Sequence, residues 1–112
     1  MESVSHPRDP SEYYHTNHFT DDILPDSDRY ITIELVEETI REGRDCIRSE
    51  NDVQIRRKKT FDGVDVVVVL GERDGYAIVT AWTELVSAKT ALQSDRWGLG
   101  AISTIQEVDM QN

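Results

Sequence analysis

A run of apolar residues at positions 64–70 constrains the fold of this chain most strongly. It contains five valines and a leucine around a single aspartate, Asp65. Short runs rich in β-branched residues are typical of a central strand that is covered on both faces or nearly so. Asp62 and Gly63, directly before the run, are a strong signal for a two-residue hairpin turn. The run therefore predicts the middle strand of an antiparallel sheet.

The segments on either side of this run have the period of two that strands show. Residues 53–61 precede it and Tyr76–Leu85 follow it, with Gly75 marking the turn into the second segment. A further short strand is predicted near residues 46–48. We therefore expect an antiparallel meander of three to four strands.

Two helices are predicted before the strands. Residues 9–12 read Asp-Pro-Ser-Glu, which is typical of a helix start, and the helix is expected to end before Pro25. Thr32 is the predicted N-cap of a second helix, and Gly43 suits the left-handed residue at its C-terminal end. The apolar residues of this second helix recur at the spacing of one buried face.

At 112 residues the chain is long enough for one domain with its own core, and not for two. We expect residues 1–8 to form a disordered tail, residues 9–85 a single domain, and residues 86–112 a C-terminal helical extension. The predicted fold class is α+β, with two N-terminal helices packed on an antiparallel meander of three to four strands.

The chain is strongly acidic, and its charge is unevenly distributed. The formal net charge is −10, from 12 basic and 22 acidic residues. Such a balance is typical of a protein adapted to concentrated salt, where screening weakens self-repulsion; an ordinary acidic protein is the alternative. Residues 41–59 carry seven bases against four acids. This basic segment indicates either an anionic ligand or an edge strand charged to prevent sheet pairing.

The sequence gives no sign of a membrane span, a secretory signal or a cofactor. No stretch approaches the roughly 20 apolar residues that cross a bilayer. Cys46 is the single cysteine, which excludes an internal disulfide and fits a reducing compartment. His15 and His18 lie three residues apart, but no third ligand completes a zinc spacing. We expect a cytoplasmic protein without membrane contact, metal or cofactor.

One set of residues has the chemistry of metal-independent RNA cleavage. A histidine, His15 or His18, titrates in the range that acid–base catalysis needs. Arg29 offers a fixed fork to a phosphate, and Thr80 offers a hydroxyl. The predicted RNA-binding side chains are three cations of the basic strand and one aromatic: Arg56, Lys58, Lys59 and Trp82. Each also has an ordinary interpretation, as a surface histidine, a strand residue, an ion-pair partner or a core aromatic.

Several short motifs resemble the small toxin-like domains of the barnase–colicin–RelE ribonuclease superfamily, in particular an uncharacterised branch of it. They are His18-Phe19 in the first predicted helix, residues 29–32 and 36–43 in the second, and residues 78–82 in the last strand. The resemblance implies two helices on a curved antiparallel sheet, with metal-free RNA cleavage on the open face. The last strand departs from it, since Trp82 and Glu84 stand where the family usually continues into Tyr or His.

The resemblance implies a toxin-type endoribonuclease in which His18 is the acid or base and His15 its substitute. Arg29 and Thr80 then bind and orient the phosphate, and a cognate inhibitor protein covers the basic face. The alternative is a non-enzymatic interaction module of the same fold. In that case a homodimer or partner interface would use the tryptophans and three apolar residues of the C-terminal segment: Ile102, Ile105 and Val108.

Overall fold

The computed structural model describes residues 6–26, 29–48, 54–72 and 74–111. Its five-stranded sheet has the order β1-β5-β4-β3-β2. The strands are β1 (Tyr13–His15), β2 (Arg44–Arg48), β3 (Gln54–Phe61), β4 (Val64–Glu72) and β5 (Tyr76–Leu85). The α-helices are α1 (Ile33–Glu42), α2 (Ala88–Leu92) and α3 (Leu99–Gln111). Within the described residues, no helix is long and apolar enough to cross a membrane. The α+β class is confirmed.

The apolar run forms β4, the middle strand, as predicted. Asp62 and Gly63 join β3 to β4 and both have positive φ angles, 49° and 87°. This is the backbone that a two-residue hairpin turn requires, and it matches the twist of the strands. A Cβ atom at Gly63 would lie 2.4 Å from the carbonyl oxygen of Ser87. The chain after β5 therefore packs closely against the backbone of this turn.

One residue of β5 has no partner in the ladder with β4. Leu70 pairs with Ile78 and Val69 pairs with Thr80, so Val79 is a β-bulge. The bulge reverses the alternation of β5. Ile78 faces the hydrophobic core, whereas Thr80 shares the opposite face of the sheet with Val69. Thr16 closes the bulge, because its hydroxyl donates to the carbonyl oxygens of residues 78 and 79 at 3.0 and 3.3 Å.

The second predicted helix is present as α1. The Thr32 hydroxyl accepts a hydrogen bond from the Leu35 amide at 3.2 Å, so Thr32 is the N-cap. Val36 and Ile40 are fully buried against β3 and β4. Gly43 ends the helix with extended backbone; a Cβ atom there would lie 2.5 Å from the Thr39 carbonyl oxygen. Sequence and structure agree on the cap, the apolar stripe and the position of the end, but Gly43 has a φ angle of −73° and not the left-handed backbone predicted for it.

The prediction of a first helix over residues 9–23 was wrong. A 3₁₀ turn, Pro10–Glu12, is followed by β1 and then by a short π-helix, Phe19–Ile23. The Asp9 carboxylate does cap the turn, since it accepts from the Ser11 amide at 3.0 Å. The turn stops there because the aromatic residues of β1 pair with the outer edge of β5 in parallel, which covers part of that edge. The sheet is therefore mixed, and α1 follows a strand.

The predicted C-terminal helical extension is confirmed in part. Residues after β5 form α2 and α3, but they belong to the core. Trp97, Ile102 and Ile105 are buried in the main hydrophobic cluster, and α3 packs on β5. The Trp97 indole donates to the Phe61 carbonyl oxygen at 2.8 Å. Val108 lies in α3, but its side chain is outside the described residues.

Arg57 is the most unusual core residue, because its side chain is only 1% exposed. Its Nε donates to the Asp45 carboxylate at 2.6 Å. Its terminal nitrogens donate to the carbonyl oxygens of Ile40, Pro7 and His6 at 2.9, 3.0 and 3.2 Å. One guanidinium thus joins β2, the end of α1 and the N-terminal segment.

The N-terminal segment, residues 6–8, packs against the sheet and α1 where a frayed tail was expected; residues 1–5 lie outside the described residues. The Tyr13 hydroxyl donates to the Pro7 carbonyl oxygen at 2.6 Å, and Arg8 donates to the Gly43 carbonyl oxygen at 2.7 Å. His6 is buried with its ring 5.7 Å from that of Tyr76. Burial raises the pKa of Tyr13 to about 12, although the nearby Arg57 lowers it.

Replacing Arg57 with Met is expected to lower the free energy of unfolding by about 3 kcal/mol, because the change leaves Asp45 and three carbonyl groups without their common donor. Arg56→Met is the matched control, since Arg56 is the preceding residue and its side chain is exposed on the other face. We expect the control to change stability by less than about 1 kcal/mol. Urea unfolding of both variants measures the difference, and equal losses would contradict the role given to Arg57.

Tyr13 is expected to make stability fall at alkaline pH. Its folded-state pKa is about 12, whereas the unfolded value is about 10. Because the folded state favours the neutral phenol, this contribution is complete below pH about 10 and is lost as the pH rises towards about 12. Unfolding measured across this window should show a loss that Tyr13→Phe removes and Tyr14→Phe, at the exposed next position, retains. A loss unchanged in Tyr13→Phe would assign it to other groups.

Candidate nucleic-acid interface

The sheet has a helical side and an open face. The helices that pack on β3, β4 and β5 contribute to one core cluster, together with alternate residues of those strands. The intervening residues form the open face. Ladder register arranges nine of them in three rows across the sheet: Arg56–Val69–Thr80, Lys58–Val67–Trp82 and Thr60–Asp65–Glu84. The register brings four of the sequence-predicted site residues, Arg56, Lys58, Thr80 and Trp82, to the same side.

Four side chains of the open face interact across the central strand. The Arg56 guanidinium carbon lies 5.1 Å from the centroid of the Trp82 ring. The Trp82 indole donates to the Glu84 carboxylate at 2.8 Å, and Lys58 Nζ lies 3.4 Å from the same carboxylate. We call these residues, Arg56, Lys58, Trp82 and Glu84, the Trp82 cluster.

The Trp82 cluster covers apolar side chains of β4. Val67 is completely buried and Val69 is 8% exposed, although both point away from the helical core. Three of their four ladder partners, Arg56, Lys58 and Trp82, are long side chains that can lie over the sheet while their polar ends meet water. The open face is therefore an apolar floor under a mixed aromatic and charged surface.

The open face is positive on a negative molecule. Arg44 joins it through its pairing with Lys58 and lies 3.9 Å from Asp65. Arg44, Arg56 and Lys58 stand against Asp65 and Glu84, a net charge of 3 − 2 = +1, whereas the chain as a whole carries −10. The remainder of the protein carries all of the excess negative charge. An anion at the open face therefore meets less repulsion than the net charge of the whole chain implies.

Lys59, the fourth predicted RNA-binding residue, lies on the helical side. Its ammonium group hydrogen-bonds the Glu38 carboxylate and lies 3.2 Å from a carboxylate oxygen of Glu42. The bond with Glu38 raises the pKa of Lys59 and lowers the pKa of Glu38. Lys59 thus joins β3 to α1 and does not add to the open face.

The two candidate catalytic histidines also lie on the helical side. His15 pairs in register with the core residue Ile78, and its ring lies 5.3 Å from that of Phe19. His18 precedes the π-helix, is more than half exposed, and lies 3.0 Å from the Asp22 carboxylate. Thr80 is on the opposite side of the sheet. Within the described residues, no three His, Cys, Asp or Glu side chains form a metal site.

Arg29 connects a loop to the outer edge of β5. It donates to the Asp26 carboxylate at 3.1 Å and to the Ala81 carbonyl oxygen at 3.0 Å, while its own carbonyl accepts from the Thr83 hydroxyl at 2.8 Å. The bond from Arg29 satisfies the Ala81 carbonyl group, which lies on the outer edge of β5 beyond the part that β1 covers. The structure therefore brings Arg56, Lys58, Thr80 and Trp82 together, and places Arg29, Lys59 and both histidines elsewhere.

Sequence reasoning did not identify Glu84 and Arg44 as parts of this surface. Glu84 was detectable, because it follows Trp82 by two residues on the same strand and must share its face. Arg44 depends on the register of β2, which contains a bulge between Asp45 and Ile47. No local pattern reports such a register.

Comparison with known proteins adds no family to this geometry. No family model matches the chain, and no curated protein or solved structure matches it either. The resemblance to the ribonuclease superfamily stays a prediction carried by its short motifs. The arrangement of the open face is therefore the best indication of function.

Proposed function

We propose that this protein binds single-stranded RNA on the open face of its sheet. The observation that carries the proposal is the juxtaposition of Arg56, Lys58 and Trp82, with the arginine already in cation–π contact with the indole. Proteins that bind single strands combine a positive surface for the backbone with aromatic rings for the bases. The Trp82 cluster has both parts within two neighbouring rows of the sheet.

Trp82 is the base-binding residue of the proposal. Every base has a π-face, so stacking on an indole tolerates different sequences, but it requires a base that is already unpaired. Arg56 stacks on the same ring and can either move to a phosphate or hold the base from its other side. Single strands are therefore favoured over duplexes.

The charged side chains set the position of the backbone. Arg56 and Lys58 are two residues apart on β3, so their stems lie about 7 Å apart along the strand. Arg44 extends the positive surface toward β2. The Glu84 carboxylate and the Thr80 hydroxyl supply acceptors for a ribose 2′-hydroxyl, which DNA lacks.

The negative remainder of the molecule limits this binding at low salt. At 1 M salt the Debye length falls to about 3 Å, so distant acidic residues repel a phosphate much less. Stacking on Trp82 does not depend on charge in this way. We therefore expect affinity to depend on salt less steeply than for a basic RNA-binding protein, with a slope set by two or three phosphate contacts.

The proposal is for binding without cleavage. A general acid or base must come within about 3 Å of the proton that it transfers. His15 lies on the helical side of the sheet, opposite Thr80, and His18 precedes the π-helix, whose buried residues Phe19 and Ile23 belong to the core cluster on that side. A strand bound over Trp82 would not contact either histidine.

Binding of a fluorescein-labelled oligouridine, followed by fluorescence anisotropy, tests the proposal. Trp82→Leu is expected to weaken binding about tenfold, the loss of one stacked base. Arg56→Gln should weaken binding and make the slope of log affinity against log salt shallower by about 0.7. Arg41→Gln is the matched control, because Arg41 is exposed on α1 and removes the same charge from the helical side.

Three results would contradict the proposal. The first is no binding by the folded wild-type protein, and the second is equal losses in Arg56→Gln and Arg41→Gln. The third is cleavage of the oligonucleotide in the presence of EDTA that His18→Ala abolishes, which would favour a nuclease centred on the helical side. Circular dichroism of each variant shows whether it is folded.

A further inference from the structure

A cleft lies on the helical side, between the start of α1 and the start of α3. Its volume is about 640 Å³, which is within the range of small-molecule sites. The apolar part of its wall is formed by Leu24, Tyr30, Ile31, Leu35, Trp97 and Ala101. The cleft is on the other side of the sheet from the Trp82 cluster, so it is a separate site.

Two aromatic residues of the cleft are held in place by the fold. Trp97 is 7% exposed, and its hydrogen bond to the Phe61 carbonyl oxygen fixes the indole. Tyr30 has a φ angle of 55°, a conformation that a bulky residue seldom adopts. Strained backbone of this kind persists only where surrounding contacts impose it, and it is concentrated at ligand sites. The aromatic wall is therefore formed before a ligand arrives.

The charges at the cleft leave a net negative site. Asp26 pairs with Arg29 at 3.1 Å. Arg96 pairs with Asp62 at 3.2 Å and also lies 5.2 Å from the centroid of the Phe61 ring. Glu34, in the first turn of α1, makes no ion pair with any described residue. The uncompensated charge at the cleft is thus a carboxylate, on a chain of net charge −10.

We propose that this cleft binds a small organic cation with an apolar body, such as an arylalkyl ammonium. Indole and phenol rings attract cations over their faces, and this attraction increases when the cation is partly desolvated. Glu34 adds a charge of opposite sign at the rim, while Leu35, Ile31 and Ala101 accept the apolar body. An anionic ligand would meet Glu34 and Asp26, and a neutral one would gain at most a hydrogen bond from either carboxylate.

Nuclear magnetic resonance with 2-phenylethylammonium tests the proposal, with 2-phenylethanol as a neutral ligand of nearly the same shape. The chain has two tryptophans, and Trp82→Phe assigns their two indole N–H signals. The ammonium ligand is expected to shift the Trp97 signal with saturation and to leave the Trp82 signal in place. The alcohol should bind several-fold more weakly, because it gains neither the cation–π contact nor the attraction of Glu34.

Two isosteric variants on the same helix separate local from general charge effects. Glu34→Gln should weaken binding of the ammonium ligand about threefold and leave binding of the alcohol unchanged, since an exposed charge contributes modestly. Glu37→Gln removes an equal charge outside the cleft and should change neither. Equal affinity for both ligands, equal effects of both variants, or a shift of the Trp82 signal alone would each overturn the proposal.

Discussion

The structure depends on the need to cover β4 on both of its faces. This strand is apolar on both sides, and the fold has one layer of helices, which covers only one side. Alternate valines reach the core under α1, while Val67 and Val69 face away from it. On that face the covering is made of single side chains extended from the two neighbouring strands. A charged and aromatic surface thus exists where a second layer would otherwise be needed, and this accounts for long polar side chains beside fully buried valines.

The single layer of helices also leaves room for a buried arginine at the margin of the sheet. Arg57 points into the helical side of β3 at the margin of the sheet, where α1 ends and the N-terminal segment passes. Helix C-terminal carbonyls and the carbonyls of an irregular segment need donors when they are shielded from water. A guanidinium supplies several donors in a fixed plane. Its desolvation is offset by Asp45 and by three carbonyl oxygens together, so removal of one partner affects all of them.

The sequence predicted those elements in which local signals agree. The turn at Asp62 and Gly63, the strand after it and the helix begun by Thr32 each combine a start, a pattern and an end. Residues 9–23 do not, because the cap at Asp9 favours a helix while the aromatics of β1 favour a strand. Residues 13–15 form a strand because the outer edge of β5 is available for pairing. No local sequence pattern reports that such an edge will be available. The candidate site shows the same limit: alternation groups Arg56 with Lys58 and places Lys59 on the other face, but only the ladder shows that Thr80 and Trp82 join the first two.

The unpaired Val79 has a consequence for how the last strand can change over evolutionary time. Before the bulge, Ile78 and the residue of β5 that alternates with it face the core. After the bulge, Thr80 and the residues that alternate with it face the surface. One strand therefore contains two frames separated by a single residue. Substitutions in the first frame are constrained by packing, whereas those in the second are constrained by whatever approaches the sheet. Loss of that one residue would merge the two frames into one regular alternation, with Ile78 still paired with Leu70, Thr80 still paired with Val69, and the surface of the second half still facing outward.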